Sequence, residues 1–229
     1  VRSHKRENIS GADEIYSAVL KKLRTKHPSE FNKLAALTNK SSGEDVEFIE
    51  VASAIKDFFR QKFAVKPYKF NEFVFNDGRL SKAELAGAAP FYGKGKCVVC
   101  HSGPFFSDLF FHVIPFRQLG FGKNGFGVDY GRFNVTHDPN DLYKFRTPPL
   151  LNVSKTAPYG HSGSVATLFK AINLHFDPLK GLKIDEMDSS ARIELYKRLA
   201  ASSQALHTIP TLDEKEVGEL EAFLNTLSF

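Results

Sequence analysis

Gly95-Lys96-Cys97-Val98-Val99-Cys100-His101-Ser102-Gly103-Pro104 is the stretch that decides the reading. Cys97, Cys100 and His101 spell C-x-x-C-H, the attachment pattern of a c-type haem. Two thiols three residues apart on one helical turn can both add to the porphyrin's vinyl groups. The imidazole beside them then lies under the iron as proximal ligand. A thioredoxin-like redox pair or half of a zinc site are the competing readings. The first would sit in a βαβ unit, and no such alternation surrounds Cys97. The second needs two more ligands, but no second C-x-x-C and no close histidine pair follows.

Around that motif, 229 residues suffice for one domain plus a helical extension. The 22 phenylalanines and the absence of tryptophan suit a haem pocket, and any other core equally. A net charge of +5 favours anionic partners at most, and the lysines are too scattered for a nucleic-acid surface. No run of about 18 apolar residues is available to span a membrane. Val1 to Arg6 lacks the apolar core of a leader. Because haem is joined to C-x-x-C-H outside the bacterial cytoplasm, the chain is expected to be exported, periplasmic and already without its leader.

The pattern predicts a mostly α, cytochrome c-like haem domain with a long haem-wrapping loop and an N-terminal helical extension. Residues 1–65 are the extension, the remainder of a preceding haem domain, and 66–229 the c-type cytochrome domain. Ser10 and Asp13 open a first helix that Pro28 interrupts, and a second helix follows from about Glu44. Pro67 to Gly78 reads as a loop or connector, and Ser81-x-x-Glu84 as a capping box ahead of Leu85, Ala88 and Ala89. Gly103 to Pro149 reads as the haem-wrapping loop, with a hairpin near Phe133 to Phe145. Helices are expected from Ser164 to His175 and from Ser189 to Ala201, the latter with Ile193, Tyr196 and Leu199 inward. Thr211-x-x-Glu214 is expected to cap a last helix carrying Val217, Leu220, Phe223, Leu224 and Leu227.

The order of these motifs resembles the second haem domain of bacterial dihaem cytochrome c peroxidases and their MauG-like relatives. Leu80-Ser81, Gly87, Phe91 and Gly95 to Pro104 carry the resemblance, as do Asp129-x-Gly131-Arg132, Lys144-Phe145-Arg146-Thr147-Pro148 and Leu220-x-Ala222-Phe223-Leu224. Most specific is Asn152-Val153-x-x-Thr156-Ala157-Pro158-Tyr159-x-His161-x-Gly163-Ser164. In that family the helix after this motif supplies the distal iron ligand, Met in peroxidases and Tyr in MauG-like proteins. Here the matching residue is His175, which implies bis-histidine iron, His101 below and His175 above, with a lower potential than His/Met ligation. Met187, the only methionine, is the rival ligand, and a polar helix end is the plainer role for His175.

The resemblance further implies a calcium site using the backbone carbonyls of Thr156 and Pro158. It puts Arg146 near the haem propionates and His161 beside the haem. His112 is expected to pack near the porphyrin. His4, His27, His137 and His207 are read as surface residues. The chain contains a single C-x-x-C-H where the dihaem enzymes have two, so the peroxide-reducing first domain is expected to be missing from this sequence or on a separate chain, or the protein works with one haem.

The implied function is that of the electron-transfer haem c supporting hydrogen peroxide reduction. Partners implied are a small cytochrome or copper protein as donor, a second haem domain or subunit, and a second copy in a homodimer. The alternatives are peroxide turnover by this chain itself, a stand-alone electron-transfer cytochrome, and MauG-like modification of another protein.

Overall fold

The computed structural model describes residues 10–118 and 128–229, which divide into two compact units with the boundary between Val65 and Lys66. Helices dominate, as predicted, and strand is confined to one two-stranded ribbon among the described residues. His4 and the 119–127 part of the expected loop lie outside the described residues.

The first unit holds α1 (Ser10–Lys26), α2 (Pro28–Leu37) and α3 (Phe48–Lys62). Pro28 does more than interrupt the first helix: it occupies the opening turn of α2, where its missing N–H costs no hydrogen bond. α3 begins at Phe48 rather than Glu44, because Glu47 and Glu50 form its capping box after a 3-10 turn at Gly43–Asp45. A small core of Phe31, Ala35 and Val46 holds this unit, with Arg24 donating to the Val46 carbonyl and Tyr16 stacked on Phe48.

The second unit contains α4 (Lys69–Phe75), α5 (Lys82–Tyr92), α6 (Phe133–Thr136), α7 (Leu168–Phe176), α8 (Ser189–Ala200) and α9 (Glu214–Asn225). Its antiparallel ribbon pairs β1 (Phe111–His112) with β2 (Phe145–Arg146), so no hairpin joins Phe133 to Phe145. α5 crosses α9 closely, and Phe91, Val217, Leu220, Phe223, Leu224 and Leu227 form the core with Leu168 and Ile172 of α7. Each such side chain contributes roughly 1.5–3 kcal/mol by leaving water. The inward face of α5 is Gly87, Pro90 and Phe91, whereas Leu85 is exposed. Ser81 and Glu84 form the predicted capping box.

Four readings need correction here. Pro67 to Gly78 is not a connector: α4 forms because the Phe70 amide donates to the Thr226 carbonyl (3.1 Å) and its ring meets Phe223 edge-on at 5.1 Å. The last helix is capped by Asp213 with Glu216, two residues beyond the predicted box. α8 buries Leu195 and Arg198 and exposes Ile193 and Tyr196, the reverse of the apolar stripe read from the sequence. α7 likewise starts at Leu168, where Thr167 caps the Lys170 amide, and not at Ser164.

Candidate haem site

α5 delivers the chain to the motif. The Gly95 amide bonds to the Pro90 carbonyl (2.9 Å), Lys96 takes a left-handed conformation, and Cys97–Val99 forms one 3-10 turn. The His101 amide closes on the Cys97 carbonyl at 2.8 Å, which fixes Cys97, Cys100 and His101 on one short turn. Both cysteines are free and half-buried. Burial pushes the Cys97 thiol up to about 12 and raises that of Cys100, to which the nearby Asp108 carboxylate adds. A disulfide-exchange nucleophile needs the opposite shift.

His101 and His175 are built alike. The Nδ1–H of His101 donates to the Phe106 carbonyl at 3.0 Å, and that of His175 to the Ala171 carbonyl at 2.8 Å. With Nδ1 committed in each ring, Nε2 carries the free lone pair. A second-shell carbonyl of this kind sets the tautomer and aim of a metal-binding imidazole. Burial, reinforced by the neighbouring His175, lowers His101 to about 4. Burial also lowers His175, so both rings are neutral at ordinary pH, the form that binds a metal.

α7 holds His175 through the packing of Leu168 and Ile172 in the core, and the Phe116 ring stands edge-on to the imidazole at 5.2 Å. The turn at Gly160 (φ +81°) runs so close to Phe116 that an added Cβ would stand 2.9 Å from its ring. The residues present therefore fit a covalently held haem: two thiols, an adjacent neutral imidazole, and a second neutral imidazole close enough to affect the first.

The other expected residues are less closely gathered. Arg146 is exposed on β2. His161 is partly exposed, stacked on Phe145 at 3.8 Å, and its Nε2 pairs with Asp129 Oδ2 at 3.0 Å. Thr156 and Pro158 are exposed, and among the described residues no donor bonds to either carbonyl. His112 lies in β1, paired with Asp108 at 2.7 Å. Met187 is half-buried beyond α7, and His27, His137 and His207 are exposed. Sequence reasoning missed Asp108, which gathers with His112 and Cys100 within 4.8 Å; its i, i+4 spacing to His112 is the signal that could have found it. It also missed Phe116 and Arg198.

The geometry is that of a mostly helical unit whose C-x-x-C-H turn carries a buried imidazole close enough to a second buried histidine, His175, to feel it. No family model matches the chain. The chain is a relative of the cytochrome c peroxidases and MauG-like proteins. It is 30% identical over 166 residues to the cytochrome-c peroxidase IdrP1 of Pseudomonas sp. strain SCT, which covers 58% of this chain and 44% of that protein. A MauG-like protein associated with microbial copper homeostasis superposes with a TM-score of 0.64 at 27% identity, over 85% of this chain and 60% of that one. The dihaem peroxidase BthA of Burkholderia thailandensis shares the fold, with a TM-score of 0.66 at 21% identity over 93% of this chain and 59% of that one. The chain thus spans about half the length of the curated relatives it matches.

Proposed function

We propose that the chain carries one haem c and is the electron-transferring part of a cytochrome c peroxidase-type oxidoreductase. The observation that supports this most is the matched pair of histidines, each with Nδ1 tied to a carbonyl and Nε2 left free. Cys97 and Cys100, both free thiols, would hold the haem through thioether bonds to its two vinyl groups. His101 and His175 would be the two residues that hold its iron. A bound haem c supplies a one-electron couple.

The histidines then do two things. Both rings would hold the iron of a bound haem, which would leave peroxide no open position on it and would ask for little rearrangement on electron transfer. Among the described residues, the acids of this region are committed elsewhere: Asp108 to His112, and Asp129 to His161. Neither is free to move a proton between peroxide oxygens. Once Cys100 is a thioether it has no thiolate to offer, so the Cys100–Asp108–His112 group holds no separate metal.

Peroxide reduction then belongs to a second haem on another domain or subunit, fed from a small cytochrome or copper protein in the periplasm. The open carbonyls of Thr156 and Pro158 would share a calcium ion with that domain. No helix of the described residues is long and apolar enough to cross a membrane. The test mixes the ferrous holo-chain with hydrogen peroxide in a stopped-flow instrument. Slow oxidation with no turnover of a reduced donor is expected; rapid repeated turnover by this chain alone would overturn the proposal.

A further inference from the structure

Arg198 is buried on α8 with 5% of its surface exposed, and its Nε is fully enclosed without a hydrogen-bond partner. Among the described residues its guanidinium makes no hydrogen bond or ion pair. The nearest acid is already taken. One turn earlier, Glu194 accepts the Tyr143 hydroxyl at 2.9 Å on Oε2 and pairs with Lys197 at 3.2 Å on Oε1. Burial weighs most against the Arg198 charge, Glu194 and Tyr143 favour it through space without bonding to it, and Arg117 adds a weaker repulsion. A buried cation with no anion bonded to it is costly, and removing it from water is repaid best by a close, hydrogen-bonded opposite charge.

Its place in the fold indicates which anion is missing. The end of α8 is stitched to the segment after β1, where the Val113 amide donates to Ser203 Oγ (2.8 Å) and the Ser203 amide to the Val113 carbonyl (3.1 Å). Three residues further on, Phe116 packs against His175, and Arg117 follows directly. Arg117 is therefore the neighbour of the ring that meets His175, and Arg198 lies on the helix whose end is stitched to the same segment.

We propose that Arg198, with Arg117 beside it, receives a propionate carboxylate of the haem. This rests on the haem reading above and assigns a residue that reading did not use. A guanidinium fork meets a carboxylate in two parallel charge-assisted hydrogen bonds, which fixes orientation as well as charge. Arg146, exposed on β2, stays available to the other propionate. Arg198 is a positioning residue: its charge disfavours the ferric state and offsets part of the lowering that two imidazoles impose.

The test compares the wild-type holo-chain with Arg198→Gln, Arg198→Lys and the exposed control Arg192→Gln, by haem stain, spectroelectrochemistry and resonance Raman. Arg198→Gln is expected to keep covalent haem but shift the ferric/ferrous ratio about tenfold toward ferric at fixed potential, a midpoint about 59 mV lower. Its propionate bending band moves. Arg198→Lys keeps the charge and loses the fork, so the band moves while the midpoint changes less. Arg192→Gln changes neither. An unmoved band and midpoint in a haem-stained Arg198→Gln chain overturn the assignment and leave the haem reading intact. Should Arg198→Gln not hold haem, an unmoved band in Arg198→Lys overturns it equally. A wild-type chain without covalent haem overturns the haem reading itself.

Discussion

Replacing Gly87 by alanine tests the crossing that carries the haem turn. A Cβ built on Gly87 would lie 1.8 Å from the Glu219 carbonyl oxygen and 2.4 Å from its carbon, both backbone atoms of α9. No rotamer change relieves that contact, so α5 and α9 must part by more than about 1 Å in an interior packed like a crystal. Overpacking that side chains absorb costs about 1–3 kcal/mol. Here the separation also loosens Phe91, Leu220 and Phe223, each 2% exposed or less. Against this, alanine returns about 1 kcal/mol of helix propensity. The net destabilisation is about 3 kcal/mol, which at an m-value of about 2 kcal/mol/M lowers the urea midpoint by about 1.5 M. Gly218→Ala on α9 is the matched control, because nothing lies within 4 Å of its Cβ. That change should stabilise by about 0.5–1 kcal/mol. A Gly87→Ala midpoint within about 0.3 M of wild type would refute the close crossing.

Other outcomes follow from the same frame. Phe223→Ala, which empties a site at 0% exposure against Phe70 and Phe91, should cost about 3–5 kcal/mol in chemical denaturation. Ser81→Ala removes the hydroxyl that caps the Glu84 amide and should cost about 1 kcal/mol, measured the same way. Burial opposes the charge of Glu84, but the Lys69 ammonium and the Ser81 amide outweigh it and hold the carboxyl below its usual range. A depressed carboxylate stabilises above its unfolded pKa of about 4.3 and loses that contribution as pH falls through the folded value. Wild type should therefore exceed Glu84→Gln in stability at pH 7, with the gap closing below about pH 4; a gap constant down to pH 3 would contradict the ion pair.

Legibility in the sequence followed how local each signal is. The C-x-x-C-H turn and the Ser81–Glu84 box are set by residues a few positions apart, and both stand in the structure as read. The α9 stripe was equally plain, since Val217, Leu220, Phe223, Leu224 and Leu227 repeat at helical spacing and all are buried. α4 was not, because its helix depends on contacts with Thr226 and Phe223 from the far end of the chain. α8 misled because a buried arginine replaced the apolar residue that the pattern seeks, turning the helix so that Ile193 and Tyr196 face outward. His175 was reached by resemblance and position along α7. The carbonyl that orients it, Ala171, is four residues back on the same helix and carries no side-chain signature. Phe116 reaches His175 only through the folded loop.

The central claim is that His101 and His175 together fill the axial positions of one haem. Low-temperature EPR of the ferric holo-chain, checked against haem content and repeated on His175→Ala, tests it most directly. The account predicts a low-spin bis-imidazole signal in the wild type that gives way to a high-spin signal in the variant. A high-spin wild-type signal, or a low-spin signal that survives His175→Ala unchanged, would contradict it.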